Sequence, residues 1–252
     1  MEMIERVSQA AKGKLSLLNK GKGRYLVSSI LAGMFIGFGV ILMSTVGGIL
    51  NEASSPFSKI SMGVSFAMAL SLVIMAGADL FTGNNLVMSI GYLNKDIKAI
   101  DVIRIWFFSY AGNLIGSMLV SFIFAGTGLA SGTTGKFFTA LSEAKMNAPF
   151  IQLFSRAVLC NILVCLAVWC GIKLKEETAK LIMIFWCIYG FVVSGFEHSV
   201  ANMTLFSTAL MIPHGAAVTL EGFAYNLSVV TLGNMVGGII FVAAAYFYIL
   251  KD

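Results

Sequence analysis

Asp79, Glu197 and His198 are the ionisable side chains that fall deep inside the long apolar stretches of this sequence. The other ten carboxylates lie in polar connections, at the ends of apolar runs or in the termini. A charge held in hydrocarbon is costly, so such a group is by default a functional one with a partner to be found. Two carboxylates and an imidazole can hold or pass a proton, and an unperturbed imidazole does so near neutrality. The surrounding side chains are Leu80, Phe81 and Thr82 around the first acid, and Phe191 and Phe196 around the second. An apolar ring above and below a histidine strips water from an ion, so it passes a solute that is easily desolvated or easily protonated.

The two acids sit in matched surroundings. Ala76-Gly77-Ala78-Asp79 with Asn84 has the same pattern as Ser194-Gly195-Phe196-Glu197 with Asn202: small residue, glycine, any residue, acid, then an asparagine. A second match, Gly112-Asn113-x-x-Gly116 against Gly233-Asn234-x-x-Gly237, falls at nearly the same offset. Two matches at one spacing indicate an internal repeat. An acid at the start of a helix accepts free backbone amides and favours the helix dipole. Asp79 and Glu197 are therefore expected to cap the helices that resume after each polar interruption. The paired helix starts would also make a weakly positive centre suited to a small anion. His198, whose partner is a mirror-related break rich in hydroxyl and amide groups, is the group expected to meet a substrate.

The elements that must carry these residues are membrane helices. The chain has 252 residues, 58% hydrophobic and 12% charged, with mean hydropathy +0.88. A soluble domain has about a quarter of its residues charged. Six spans are expected at about 25–50, 60–93, 102–126, 150–172, 179–211 and 225–250, several of them reaching the roughly 20 residues that cross a bilayer core. The second and fifth are long for one straight helix and carry the interruptions. No signal-peptide pattern is expected near the amino terminus.

With both termini inside, thirteen of the 17 Lys and Arg residues fall on the cytoplasmic side, leaving Lys59, Lys136, Lys145 and Arg156 outside. That asymmetry sets the orientation and places the chain as a multi-pass protein of the cytoplasmic (inner) membrane. Three spans per half forces the halves into opposite orientations. The fold class is thus an all-α integral membrane protein with six helices as an inverted 3+3 repeat, spans 2 and 5 broken. Such breaks lie at a substrate path between the repeats. The chain reads as one transmembrane channel domain over residues 1–252. Within it, residues 2–20 form an amphipathic cytoplasmic helix with apolar positions Met3, Ile4, Val7, Ala11, Leu15 and Leu18.

Several functions are set aside. The net charge of +5 sits at span ends, and hydropathy excludes a soluble nucleic-acid binder. Three cysteines (Cys160, Cys165, Cys170) share one apolar run without metal-ligand spacing, so no metal or other cofactor is expected. One intramembrane histidine without a nucleophile or metal constellation does not make an enzyme. A water or ammonia channel would need a different break, and all three prolines (Pro56, Pro149, Pro213) lie outside the interruptions. The remaining rival to a passive anion channel is a proton-coupled secondary anion transporter, distinguished by uphill accumulation.

"ADLFTGNN", "CNILVCLAVW", "VVSGFEHSVANM" and "TLGNMVGG" together resemble the formate/nitrite transporter family, over about residues 10 to 250. Its hydrosulfide-conducting branch is the expected one. The resemblance implies an aquaporin-like protomer, assembled in the lipid membrane as a homopentamer with one pore per protomer. It also implies passage of small monovalent anions of weak acids, of the hydrosulfide, formate or nitrite class. On it, Leu80, Phe81 and Thr82 fall on the loop in the broken second span and His198 on the central histidine. Asn161 and Asn202 fall on pore-lining amides, Lys145 on the lysine of the outer vestibule, and Leu80 and Phe191 on the constriction.

Overall fold

The computed structural model describes residues 2–251, which are all-helical, with no strand among them. Eleven α-helices follow in order: α1 (Glu2–Lys20), α2 (Lys22–Glu52), α3 (Ser58–Met75), α4 (Phe81–Leu93), α5 (Ala99–Gly126), α6 (Gly132–Met146), α7 (Phe150–Lys173), α8 (Glu177–Val193), α9 (Ser199–Met211), α10 (Leu220–Val236) and α11 (Ala245–Leu250). A π-helical segment, Gly237–Ala244, joins the last two, so that Leu220–Leu250 is one long apolar element. Among the described residues, five helices are long and apolar enough to cross a membrane: α2, α3, α5, α7 and this last element.

Glycines decide the closest packing. A Cβ at Gly116 would collide with the Ile30 carbonyl, and one at Gly112 with Ser29, so α5 lies against α2 backbone to backbone. A Cβ at Gly237 would meet the Val158 carbonyl, and one at Gly233 Ala157 and the Phe154 carbonyl, so α10 lies the same way against α7. Membrane interiors offer no hydrophobic drive between helices, and small residues allow the van der Waals contact that replaces it. These glycines therefore bind helices within one chain.

Two apolar runs divide. α3 stops at Met75 and α4 starts at Phe81; α8 stops at Val193 and α9 starts at Ser199. In each gap a glycine takes a left-handed conformation, Gly77 at φ 74° and Gly195 at φ 75°, which side-chain-bearing residues avoid. α4 and α9 are almost wholly buried. Ala76, Gly77, Ser194 and Gly195 in the gaps are exposed, and the two glycines each line a cavity, the setting in which non-helical backbone is tolerated at membrane depth.

Two segments add to the sequence reading. The Gly/Ser/Thr-rich connection before residue 150 contains helix α6, which buries Phe138, Ser142 and Met146. That four-residue spacing marks one helical face, but polar neighbours dilute it. The apolar stripe of α1 meets protein: Ile4, Val7, Ala11 and Leu18 are buried in a cluster with Leu86, Val87, Ile90 and Ile97. Side-chain bonds reinforce this docking, with Ser8 donating to Asp96 at 2.5 Å, Lys12 pairing with Asp96 at 2.6 Å, and Arg6 donating to the carbonyls of Ile172 and Lys173.

Candidate functional site

Each gap is built around an acid whose backbone is held by a neighbouring helix. The Asp79 amide donates to the Ser28 carbonyl on α2 at 3.3 Å, and the Glu197 amide to the Arg156 carbonyl on α7 at 3.3 Å. An asparagine then clamps each restarting helix. Asn113 Oδ1 accepts from the Phe81 amide at 2.9 Å, while its Nδ2 donates to the Ser29 and Asp79 carbonyls at 2.8 and 3.0 Å. Asn234 repeats this: Oδ1 accepts from the Ser199 amide at 2.9 Å, and Nδ2 donates to Ala157 and Glu197 carbonyls at 2.8 and 2.9 Å. Both asparagines are fully buried. The Gly-Asn pair of the sequence repeat is thus a backbone clamp, a role its spacing alone does not disclose.

Asp79 and Glu197 do not cap the helices, contrary to expectation. Both oxygens of Asp79 and Oε2 of Glu197 are taken by side chains. Asp79 accepts from Lys14 Nζ at 2.7 Å, Tyr25 Oη at 2.6 Å and Asn84 Nδ2 at 2.6 Å. Glu197 accepts from Lys145 Nζ at 2.8 Å and Asn202 Nδ2 at 2.7 Å. A buried carboxylate needs a cation more than an amide needs a cap, and the asparagine clamps already serve one amide each. The α9 cap falls to His198 itself, whose Nδ1 accepts from the Ala201 amide at 3.1 Å.

That bond fixes the tautomer. An Nδ1 that accepts carries no hydrogen, so the neutral ring bears it on Nε2. Nε2 lies 3.0 Å from Thr82 Oγ1, so the imidazole donates across from one gap to the other and leaves the threonine hydroxyl proton free to donate. Phe191 stacks on the His198 ring at 5.9 Å with 15° between planes.

Two cavities approach this contact without sharing a lining residue. One, about 250 Å³, is lined by Phe191, Phe196, Glu197, His198, Asn202 and Lys145 among others. The other, about 220 Å³, includes Lys14, Gly77, Leu80 and Gly83. Thr82 is fully buried and lines neither. Two residues expected at the pore also lie outside both cavities. Phe81 packs edge-on against Tyr110 at 5.0 Å, because its amide is drawn to Asn113 and its ring turns into the core. Asn161 is fully buried, donating to the Thr82 and Asn234 carbonyls at 3.3 and 2.7 Å, and so holds the wall behind Thr82. Lys145, which the resemblance puts on the lysine of the outer vestibule, lines the first cavity and is bound to Glu197 at 2.8 Å and Asn202 Oδ1 at 3.2 Å. Lys14 was missed. It lies in a helix read for its apolar stripe, and nothing local to it signals a partner on another element.

No group of three or more metal-ligating side chains occurs among the described residues. All-helical, with several helices of membrane-crossing length among the described residues, the chain has the build of an integral membrane protein. The model of the formate/nitrite transporter family matches residues 1–248, and the chain belongs to that family. It is 40% identical over 252 residues to the uncharacterized transporter YwcJ of Bacillus subtilis, covering 100% of this chain and 98% of the relative. It is 39% identical over 225 residues to the nitrite transporter NirC of Escherichia coli, covering 89% and 82%. Among solved structures it resembles an FNT family ion channel with TM-score 0.94 at 36% identity, over 99% of both chains. It also resembles a pentameric formate channel with formate bound, TM-score 0.80 at 31% identity, over 92% of this chain and 99% of that one.

Proposed function

We propose that the whole chain acts as one channel domain, a passive conduit for small monovalent anions of weak acids, with Thr82 and His198 at its closure. The observation that carries this reading is the 3.0 Å contact between Thr82 Oγ1 and His198 Nε2, between two cavities that share no lining residue. The architecture is read as six spans in an inverted 3+3 repeat, with α3–α4 and α8–α9 as the broken second and fifth. The matched hydrogen bonds of the two gaps support that symmetry. Both termini are placed in the cytoplasm and the Lys145 side outside, in keeping with the charge bias and with the gathering of α1, Asp96 and Lys173 at one end.

An anion arriving in either cavity meets Leu80 or Phe191 and loses water there. The imidazole N–H and the threonine O–H then replace the lost hydration, and Ser199 Oγ beside His198, buried without a protein partner, is a further hydroxyl able to donate. Because Nδ1 is committed to Ala201, a protonated ring would surrender the α9 cap. His198 therefore serves as a donor at Nε2, and any proton it lends returns to that atom. Formate and nitrite, named for the relatives, and hydrosulfide are the candidate substrates, and a homopentamer is the assembly that the formate channel suggests.

Stopped-flow uptake into proteoliposomes tests this, with formate, nitrite and hydrosulfide supplied separately and water and glycerol as controls. Anion flux that stops at equilibrium supports the channel. Accumulation above equilibrium driven by a pH gradient would replace it with the proton-coupled transporter, and flux of water or glycerol alone would overturn both.

A further inference from the structure

The cavity on the Lys145 side contains three cations, and they are not equivalent. Lys145 lies 2.8 Å from Glu197 with its side chain 18% exposed, so its charge is spent on that carboxylate. Lys59, at the start of α3, and Arg156, on α7, line the same cavity and are both exposed. Neither forms an ion pair among the described residues; the one bond that the Arg156 side chain makes is 3.4 Å to the neutral Gln152 Oε1. They approach from different helices on one space that also holds Phe191 and His198. The opposite cavity differs. Its one charged lining residue, Lys14, is bound to Asp79 at 2.7 Å.

Charge on a low-dielectric wall focuses field into a cleft and raises the local concentration of the opposite ion. A compensated Lys145–Glu197 pair contributes a dipole to that field, and two uncompensated cations contribute net charge. We propose that Lys59 and Arg156, rather than Lys145, form the anion-entry site of this cavity, drawing a small monovalent anion to the ring of apolar side chains before His198. The paired Lys145 is then a structural partner of Glu197. This rests on the channel reading for the identity of the ion, but the electrostatic part stands apart from conduction.

Formate permeability is to be measured in right-side-out and inverted membrane vesicles, exchanging sucrose for salt in the medium at constant osmolarity. Raising the medium from about 0.01 to 1 M salt shortens the screening length from about 30 to 3 Å. With the Lys59 side facing the medium, permeability of the wild type falls with added salt by about threefold or more, within the range of electrostatic steering. In Lys59→Gln/Arg156→Gln that dependence is lost on this side and kept on the other, while Lys59→Arg/Arg156→Lys retains it on both. Salt dependence that survives the double neutralisation on the Lys59 side overturns the proposal.

A second arm does not require conduction. In Lys59→Cys, an anionic methanethiosulfonate reagent is expected to react about tenfold faster than a cationic one relative to their rates with free thiol, and Arg156→Gln reduces that ratio. Equal relative rates, unchanged by Arg156→Gln, refute an anion-entry site. If the wild type moves no anion, the channel reading fails and this ratio still decides whether the cavity concentrates anions.

Discussion

The two carboxylate nodes share one plan but differ in what supplies the cation. Glu197 receives Lys145 from α6, whose neighbouring residues Phe138, Ser142 and Met146 are buried in the body of the molecule. Asp79 receives Lys14 from α1, a helix held to the rest by one apolar stripe and a few surface bonds. The neutral partners differ too. Tyr25 donates to Asp79 at 2.6 Å, whereas at the other node Asn226 Oδ1 accepts from Asn202 at 2.9 Å and Asn226 Nδ2 donates to the Lys145 carbonyl. One node is therefore built into the core, and the other depends on a peripheral element staying docked. The backbone geometry of the two gaps is the same; the security of their charges is not.

The largest expected effect tests the shared part. Asn113→Leu and Asn234→Leu each leave one amide and one gap carbonyl (Asp79 or Glu197) buried without a partner, since the Ser29 and Ala157 carbonyls keep their own helical bonds. At about 1–3 kcal/mol per orphaned group, each variant should lose about 2–6 kcal/mol, read as equally lowered unfolding midpoints in detergent. Markedly unequal losses would break the equivalence of the gaps.

Next comes the difference in the acids. Glu197→Gln strands the Lys145 ammonium in a site from which α6 cannot withdraw, near the lower end of the about 3–5 kcal/mol for breaking a buried pair. Asp79→Asn lets α1 carry Lys14 outward, so a loss of about 1–2 kcal/mol is expected once that relaxation is allowed. Hydrogen exchange should show α1 loosened in Asp79→Asn and α6 still protected in Glu197→Gln. Equal losses with both helices still protected would remove the distinction.

A smaller and symmetric effect is expected for Gly77→Ala and Gly195→Ala. A Cβ at either glycine meets nothing within 4 Å, so only the left-handed backbone is strained. About 1–2 kcal/mol each follows, again checked by unfolding midpoints. A difference between them would show that one gap is held more tightly than its hydrogen bonds indicate.

The smallest effect concerns α1 alone. Its bonds from Lys12 and Ser8 pull the Asp96 carboxyl down from its ordinary 3.8 to about 2. A carboxyl lowered in the folded state stabilises above its unfolded value and loses that contribution as pH falls. Protease sensitivity of α1 should therefore stay flat above pH 4 and rise between about pH 4 and 2. Asp96→Asn should show the raised sensitivity at every pH, with the modest size of a surface pair. An unchanged pH profile in Asp96→Asn would place the attachment elsewhere.

Much of this was legible in the sequence for a local reason. Gly77 and Gly195, the acids beside them and the apolar runs on both sides are signals a few residues long, and the helices end where those signals fall. His198 and Thr82 stood out because polar groups are scarce in such runs. What could not be read depends on contacts between distant elements. Lys14 reaches Asp79 from another helix, and Lys145 reaches from α6 to Glu197, just before α9, and to Asn202 on it. Asn161 and Phe81 share the pattern of the pore residues, yet their partners on other helices turn them into its wall. α6 bonds to the Leu205 carbonyl through Ser142, and Gly238 of the π-helical segment lies against Asn161 and Cys165, contacts that no window along the chain contains.

The central claim is that the Thr82–His198 contact is the closure through which an anion must pass. Formate and nitrite flux through Thr82→Val and Thr82→Ser, compared with the wild type in proteoliposomes at matched protein content, tests it most directly. Valine keeps the shape and removes only the hydroxyl. The account predicts that Thr82→Ser conducts and that Thr82→Val loses most anion flux, while both variants remain folded. Undiminished flux through Thr82→Val would mean that the anion's route does not run past His198 Nε2.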